Sequence, residues 1–135
     1  VKDWIIKVRN DVPDAPVLVT AGGLLHYFEE NKVISLLRMI GQSGNMEVVF
    51  DTVNKKGMAM MQKKYMKQVG HADAQMFFYV DAVEELAAKI GGNAKVIADE
   101  PYYRYIPKNG LKMSTKVSMA VSDRFCMVKM IQLKL

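Results

Sequence analysis

Residues 17–30, VLVTAGGLLHYFEE, constrain the fold more than any other stretch of the chain. Val17 to Ala21 is an unbroken run of apolar and β-branched residues, the pattern of a strand buried on both faces of a parallel sheet. Two adjacent glycines follow. The chain then turns helical: Val33, Leu36, Leu37 and Ile40 form one stripe, Glu29 and Glu30 stand in the first turn where the helix dipole favours acids, and Gly41 lies beyond the end. A buried strand feeding a helix through a tight turn is the repeating unit of an α/β fold.

The rest of the sequence continues that alternation. A second strand is expected over Met46 to Phe50, ending in Asp51, with Asn54 to Gly57 as a loop. Met58, Met61, Tyr65 and Val69 recur at helical spacing and mark a helix whose methionines fill a core. Val80 to Ile90 reads as a further helix: Asp81 and Glu84 are spaced as a capping box, Val83, Leu86, Ala87 and Ile90 share a face, and Gly91-Gly92 stops it. A third strand fits Ala94 to Ala98. After the tyrosine-rich turn PYYRYIPKNG, a short helix is expected near Ser114 to Ser122. Met127 to Leu135, apolar residues mixed with Lys129 and Lys134, suits a strand near a sheet edge. At 135 residues, half of them apolar, and with no repeat or linker, the chain reads as one unit with a real core.

One strand is left short of neighbours. The sixteen residues before Val17 offer Trp4, Ile5, Ile6 and Val8 as a short helix but no second strand, so the outer edge of Val17–Ala21 has nothing to pair with. An uncovered apolar edge invites association. Either further sequence upstream or a partner chain, including a second copy forming a homo-oligomer, is expected to cover it.

Charge and cysteine content narrow the setting. The net charge of +5 is concentrated from Arg104 onward, where Asp123 is the only acid among basic residues. The tyrosines Tyr102, Tyr103 and Tyr105 precede most of these basics rather than interleave with them. A solvated face or an anionic-substrate rim is therefore expected, and nucleic acid is not. The longest uncharged stretch is too short to span a bilayer, so no membrane partner is expected, and no signal-peptide pattern is visible. Cys126 is the single cysteine. It excludes an internal disulfide, reads as a small buried hydrophobe, and fits a reducing cytoplasm.

The glycine pair is not a phosphate cradle. A dinucleotide turn needs G-x-G-x-x-G and a P-loop needs Gly-Lys-Ser/Thr, whereas Gly23 is followed by Leu24, Leu25 and His26. Ligands of open α/β sheets sit outside the carboxyl ends of the strands, which is where Gly22 and Gly23 fall. His26 is either a general base or a histidine packed at the sheet end with its nitrogens satisfied by backbone. Tyr27 is either a pocket wall or core, and Asp51 either faces a cleft or caps the following turn. The tyrosines of the later turn either line a pocket or pack together. His71, in VGHADA, reads as an exposed polar break, and two histidines with one cysteine give no metal-ligand spacing.

PVLVTAGGLLHYFEENKV, MEVVFDTVNKKG and VSDRFCMVKMIQLKL together resemble the C-terminal half of class I S-adenosylmethionine-dependent O-methyltransferases, those related to leucine carboxyl methyltransferase and the polyketide carboxyl methyltransferases. The resemblance runs from Trp4 to Leu135 and is most specific over Ala21 to Phe28 with Asp51. It implies part of a Rossmann-like sheet, three or four strands with flanking helices and the last strand antiparallel, in which Val17–Ala21 is the fourth of seven strands. It further implies that Ala21, Gly22 and Gly23 face the methionine end of the cofactor, that Leu25, His26 and Tyr27 pack near the transferred methyl group, and that Asp51 stands at the mouth of the next strand. The family commonly carries an acid where this chain has Gly22. Its glycine-rich loop and ribose-binding acid belong to an N-terminal half that these residues do not include. The chain by itself is thus expected to bind S-adenosylmethionine weakly or not at all, and a small-molecule carboxylate or hydroxyl is the implied methyl acceptor. The rival reading is a non-catalytic half-domain that pairs through its open strand edge.

Overall fold

A computed structural model describes residues 1–68 and 75–135. Helix α1 spans Lys2–Asp11 and is followed by strand β1, Val17–Ala21. A 3-10 turn at Leu25–Tyr27 leads into α2, Glu30–Gly41, then β2, Met46–Val53, and α3, Lys55–Gln68. Next come α4, Val83–Ile90, β3, Lys95–Pro101, α5, Met113–Arg124, and β4, Val128–Lys134. The fold is α/β, as the alternation of periods implies. His71 and Val69 lie outside the described residues.

The four strands form one mixed sheet in the order β1-β2-β4-β3. Strands β1 and β2 run parallel, with Val17 opposite Met46 and Ala21 opposite Phe50. Strand β4 is antiparallel to both neighbours, Phe50 facing Ile131 on one side and Ile131 facing Asp99 on the other, with an irregularity at Ile97. The last strand is therefore antiparallel, but it is not near an edge. Ile131 and Leu133 have no exposed surface, because β4 is inserted between β2 and β3. Its lysines had suggested an edge; Lys134 sits at the exposed end, while Lys129 is buried and paired with Asp99 at 3.2 Å.

One face of this sheet carries the core. Val33, Leu37 and Ile40 of α2 and Val83, Leu86 and Ile90 of α4 pack with Met46, Val48 and Phe50 of β2 and with Ile131 and Leu133 of β4, joined by Ile5 of α1. The other face, formed by Leu18 and Thr20 of β1, Glu47, Val49 and Asp51 of β2 and Met130 and Gln132 of β4, holds no buried residue. Strand β1 is accordingly not buried on both faces: Val17, Val19 and Ala21 lean on the core, whereas Leu18 is 57% exposed. Apolar composition identified the strand but not its half-covered position, since both environments accept Val and Leu.

Element ends differ from the sequence reading where tertiary contacts intervene. Strand β2 runs on to Val53, so Asp51 lies inside it, and α3 begins at Lys55 where a loop was expected. Asn54 caps α3, its Oδ1 accepting the Gly57 N–H at 2.7 Å while its amide donates to the Phe125 carbonyl. The proposed capping box of α4 is absent. That helix starts later, at Val83, with no side-chain cap, and the Asp81 carboxylate instead accepts the Lys55 N–H of α3 at 2.8 Å. Gly41 is the last residue of α2, not the one beyond it, and packs against the Leu135 side chain. Gly91, at φ 75°, does end α4. Strand β3 and helix α5 each extend past their expected bounds, to Pro101 and Arg124. Met58 and Met61 pack with Val53, Met76 and Val128 in a small second cluster, as core methionines. Cys126 is the opposite of its expectation: it is exposed, at φ 48°, in the turn that leads α5 into β4.

Gly57 and Gly22 offer a matched test of this packing. A methyl group at Gly57 would overlap the Met127 backbone carbonyl, whose neighbour chain is already held by the Met127 O–Asn54 N–H bond; at Gly22 it would meet nothing within 4 Å. Gly57→Ala should destabilise the fold by about 1–3 kcal/mol, and Gly22→Ala should lie within about 0.5 kcal/mol of the parent, both read from urea unfolding midpoints.

Candidate functional site

The carboxyl ends of β1 and β2 bring together the residues singled out at the glycine turn. Strand β1 ends at Ala21; Gly22 continues the chain and Gly23 adopts φ 63°, a conformation that favours glycine. Gly23 N–H donates to Asp51 Oδ1 at 2.6 Å, a charge-assisted bond across the two parallel strands. Asp51 thus neither caps the following helix nor stands free at the strand mouth. It holds the turn from the neighbouring strand. Neither glycine has an atom within 4 Å of the position a Cβ would occupy, so the turn presents bare backbone to open space. Gly23 needs its missing side chain for its own conformation, but nothing in this chain requires it at Gly22.

Beyond the turn the chain dives into the core and returns. Leu25 is fully buried in the main cluster and anchors the 3-10 turn. His26 beside it is 6% exposed, and its carbonyl accepts the N–H groups of Phe77 at 2.8 Å and Phe78 at 3.3 Å. The backbone of His26 is therefore well satisfied. Its ring is not: Nδ1 is buried without a hydrogen-bond partner among the described residues. Burial pushes the imidazole below its ordinary pKa, and the Asp51 charge partly offsets this. An imidazolium here would bury a second N–H donor with no acceptor, so the surroundings disfavour the protonated ring. Tyr27 resolves as a surface residue, 40% exposed, its ring 4.6 Å from that of His26. Phe28, next in the chain, and Phe77, whose N–H bonds the His26 carbonyl, are exposed as well, and Phe77 also lines the smaller depression described below.

Sequence reading thus found the members of this cluster but missed two links. Phe77 has no periodic signal because it lies in an extended segment, and its tie to His26 is a backbone bond. The Asp51–Gly23 bond spans 28 positions, and only the parallel register of β1 and β2 creates it. The three tyrosines do not assemble with the glycine turn: Tyr102 and Tyr103 pack edge to face at 5.2 Å, and Tyr105 stands free in solvent.

Two depressions lie elsewhere. The larger, about 760 Å³, is at the opposite end of the sheet between Arg38, Gly41, Gly91, Lys95 and Lys134. The smaller, about 260 Å³, lies between Glu30, Tyr79 and Lys89. The larger volume does not make the better site. Its Arg38 is already spent on the Lys89 and Ile90 carbonyls, whereas the carboxyl end combines open backbone, an anchored carboxylate and an unpartnered imidazole. Among the described residues no three His, Cys, Asp or Glu side chains gather as a metal site, and no helix is long and apolar enough to cross a membrane.

No protein family profile and no curated protein matches the sequence. Among solved structures, the chain is similar to a DUF574 family protein from Streptomyces avermitilis MA-4680, at 9% identity and a TM-score of 0.58. The match covers 99% of this chain and 52% of that one, so the present chain spans about half the length of the protein it resembles. At that identity the likeness is one of fold.

The site yields two tests. With its folded pKa below the unfolded value of 6.5, His26 contributes stability that is complete above about pH 6.5 and is lost as pH falls through the lowered value. His26→Gln should therefore flatten the acid limb of a stability–pH curve measured by urea unfolding. Asp51→Asn removes the charge that raises the imidazole pKa, so the His26 ring resonances should titrate at still lower pH by NMR.

Proposed function

We propose that the chain is part of an S-adenosylmethionine-dependent methyltransferase, and that the turn after β1 receives the reacting end of the cofactor. The observation that carries this reading is the open Gly22–Gly23 backbone, held by Asp51 at the carboxyl end of a parallel strand, with free space where side chains would stand. The resemblance of residues 4–135 to the C-terminal half of carboxyl O-methyltransferases supports it, as does an α/β sheet with an antiparallel last strand. Ala21, Gly22 and Gly23 would hold the methionine portion, and Leu25 would fix the turn from below. The cofactor supplies an activated sulfonium methyl group, so the protein has mainly to align donor and acceptor.

Of the two acceptor classes, the carboxylate fits better. A hydroxyl needs a base, and His26 is a poor one: taking a proton would create a buried imidazolium N–H with nothing to accept it. A carboxylate already carries its nucleophilic charge. His26 is then a positioning residue beside Tyr27 and Phe77, and Asp51 orients the cofactor turn instead of touching the acceptor.

A longer polypeptide would supply the remaining cofactor contacts and the strand that pairs with β1. In that protein, isothermal titration with S-adenosylmethionine should show binding that Gly22→Leu abolishes while Gly57-type packing and the unfolding midpoint are unchanged. The 135-residue chain alone should bind at least tenfold more weakly. Failure of the longer protein to bind the cofactor would remove the proposal.

The second reading, a half-domain that pairs through its edge, is favoured by one observation. Among the described residues strand β1 has a partner on one side only, and it carries neither charge nor proline to discourage pairing, with Leu18 57% exposed. A homo-oligomer that dissociates on Leu18→Lys, seen by sedimentation, would support this use of the edge.

A further inference from the structure

Helix α5 is apolar on the side that faces away from the protein. At 100° per residue, Met113, Val117 and Val121 lie along one strip, while the buried Met119 and Ser122 fall on the opposite side. The outward residues are highly exposed, Met113 at 73% and Val117 at 55%. Phe125, just beyond the helix, and Tyr105 (75%) and Ile106, in the loop before it, are exposed as well. An exposed apolar face of this kind on an outer helix marks an interaction site.

The charge around it has one sign. Lys116 lies along one side of the strip, Lys112 stands at the N-terminus of the helix, Arg124 lies on the strip, Lys108 precedes it, and Lys56 of α3 sits 5.9 Å from the centre of the Phe125 ring. None of Lys108, Lys112, Lys116 and Arg124 forms an ion pair among the described residues. The two nearby acids are engaged: Asp123 accepts the Tyr103 N–H at 3.1 Å, and Glu100 pairs with Arg104 at 2.5 Å. The surface is thus apolar with cations beside it. The two depressions described above are lined by residues outside 102–125, so this patch is distinct from them.

We propose that the outward face of α5 and the loop at Tyr105 dock on an anionic lipid bilayer. A planar, deformable, negatively charged surface with an apolar interior complements an exposed apolar helix face with unpaired cations beside it. The lysines and Arg124 meet the headgroups, Met113, Val117 and Phe125 enter the acyl boundary, and Tyr105 rests at the interface with its hydroxyl in the headgroups. This is attachment at the surface, not crossing. It uses residues that take no part in the glycine-turn site, and it stands independently of the methyl-transfer reading.

Co-sedimentation of the chain with phosphatidylcholine vesicles, with and without about a third phosphatidylserine, tests the proposal. Binding should require phosphatidylserine and should fall steeply between about 0.1 and 0.5 M salt. Replacing Lys112 or Lys116 by Gln should weaken it about fivefold each. Met113→Ser with Val117→Ser leaves the charge intact and should also weaken binding at least fivefold; circular dichroism would establish that this doubly substituted, surface-altered chain stays folded. Absence of binding to phosphatidylserine vesicles would overturn the proposal. So would undiminished binding by the Met113→Ser/Val117→Ser chain together with equal binding to a soluble polyanion, a result that assigns the cations to an acidic macromolecule instead of a bilayer.

Discussion

The position of β4 is the constraint from which the rest of the structure follows. This strand runs antiparallel between β2 and β3, and like β2 it is paired with a strand on each of its two edges. Ile131 and Leu133 carry its apolar face into the centre of the core, where they meet Phe50 and Val48 in register. Without that insertion, β2 would lose one of its partners, β3 would have none, and α2 and α4 would have no continuous floor. The last strand of the chain thus closes the sheet, and the sheet in turn fixes the distance between the glycine turn and Asp51.

The layering has a functional consequence. The main core is gathered on one face of the sheet, against α1, α2 and α4, with only the small Val53 cluster beside α3 apart from it, while Leu18, Val49 and Met130 on the other face are not buried and β1 is the end strand of the sheet. The glycine turn lies at the boundary between these regimes, at the end of a strand anchored on one side and free on the other. A ligand or a further length of chain approaching that end meets bare backbone first. The outward face of α5, apolar and exposed, is a surface separate from this turn.

Much of the architecture was legible in the residues. Periodicity located α2, α4 and the three parallel strands because a buried stripe repeats with the period of its own backbone, and Gly91 marked a helix end because its conformation favours glycine. The same local logic misread Asp81. Its spacing from Glu84 satisfies the capping pattern for the helix that follows, yet the N-terminus of α3 lies close in space and its Lys55 N–H takes the carboxylate instead. Lys129 misled in the same manner: a lysine in a strand usually reports an edge, but Asp99 on the adjacent strand supplies the partner that allows its burial.

By itself, the sequence determined which segments are strands and helices, that the unit is α/β, and that two glycines interrupt the chain at the end of a strand, because each is written in the spacing of neighbouring residues. Only the tertiary structure decided that β1 is a half-covered edge strand and β4 an interior one. Strand order depends on pairings between segments tens of residues apart, and the composition of a strand is nearly the same in either place. Tertiary packing alone also decided that Asp51 grips Gly23, that His26 is buried with an unpartnered Nδ1, and that Cys126 faces solvent. Each of these is a contact, or a missing one, between groups whose distance is set by the register of the sheet and not by their separation along the chain.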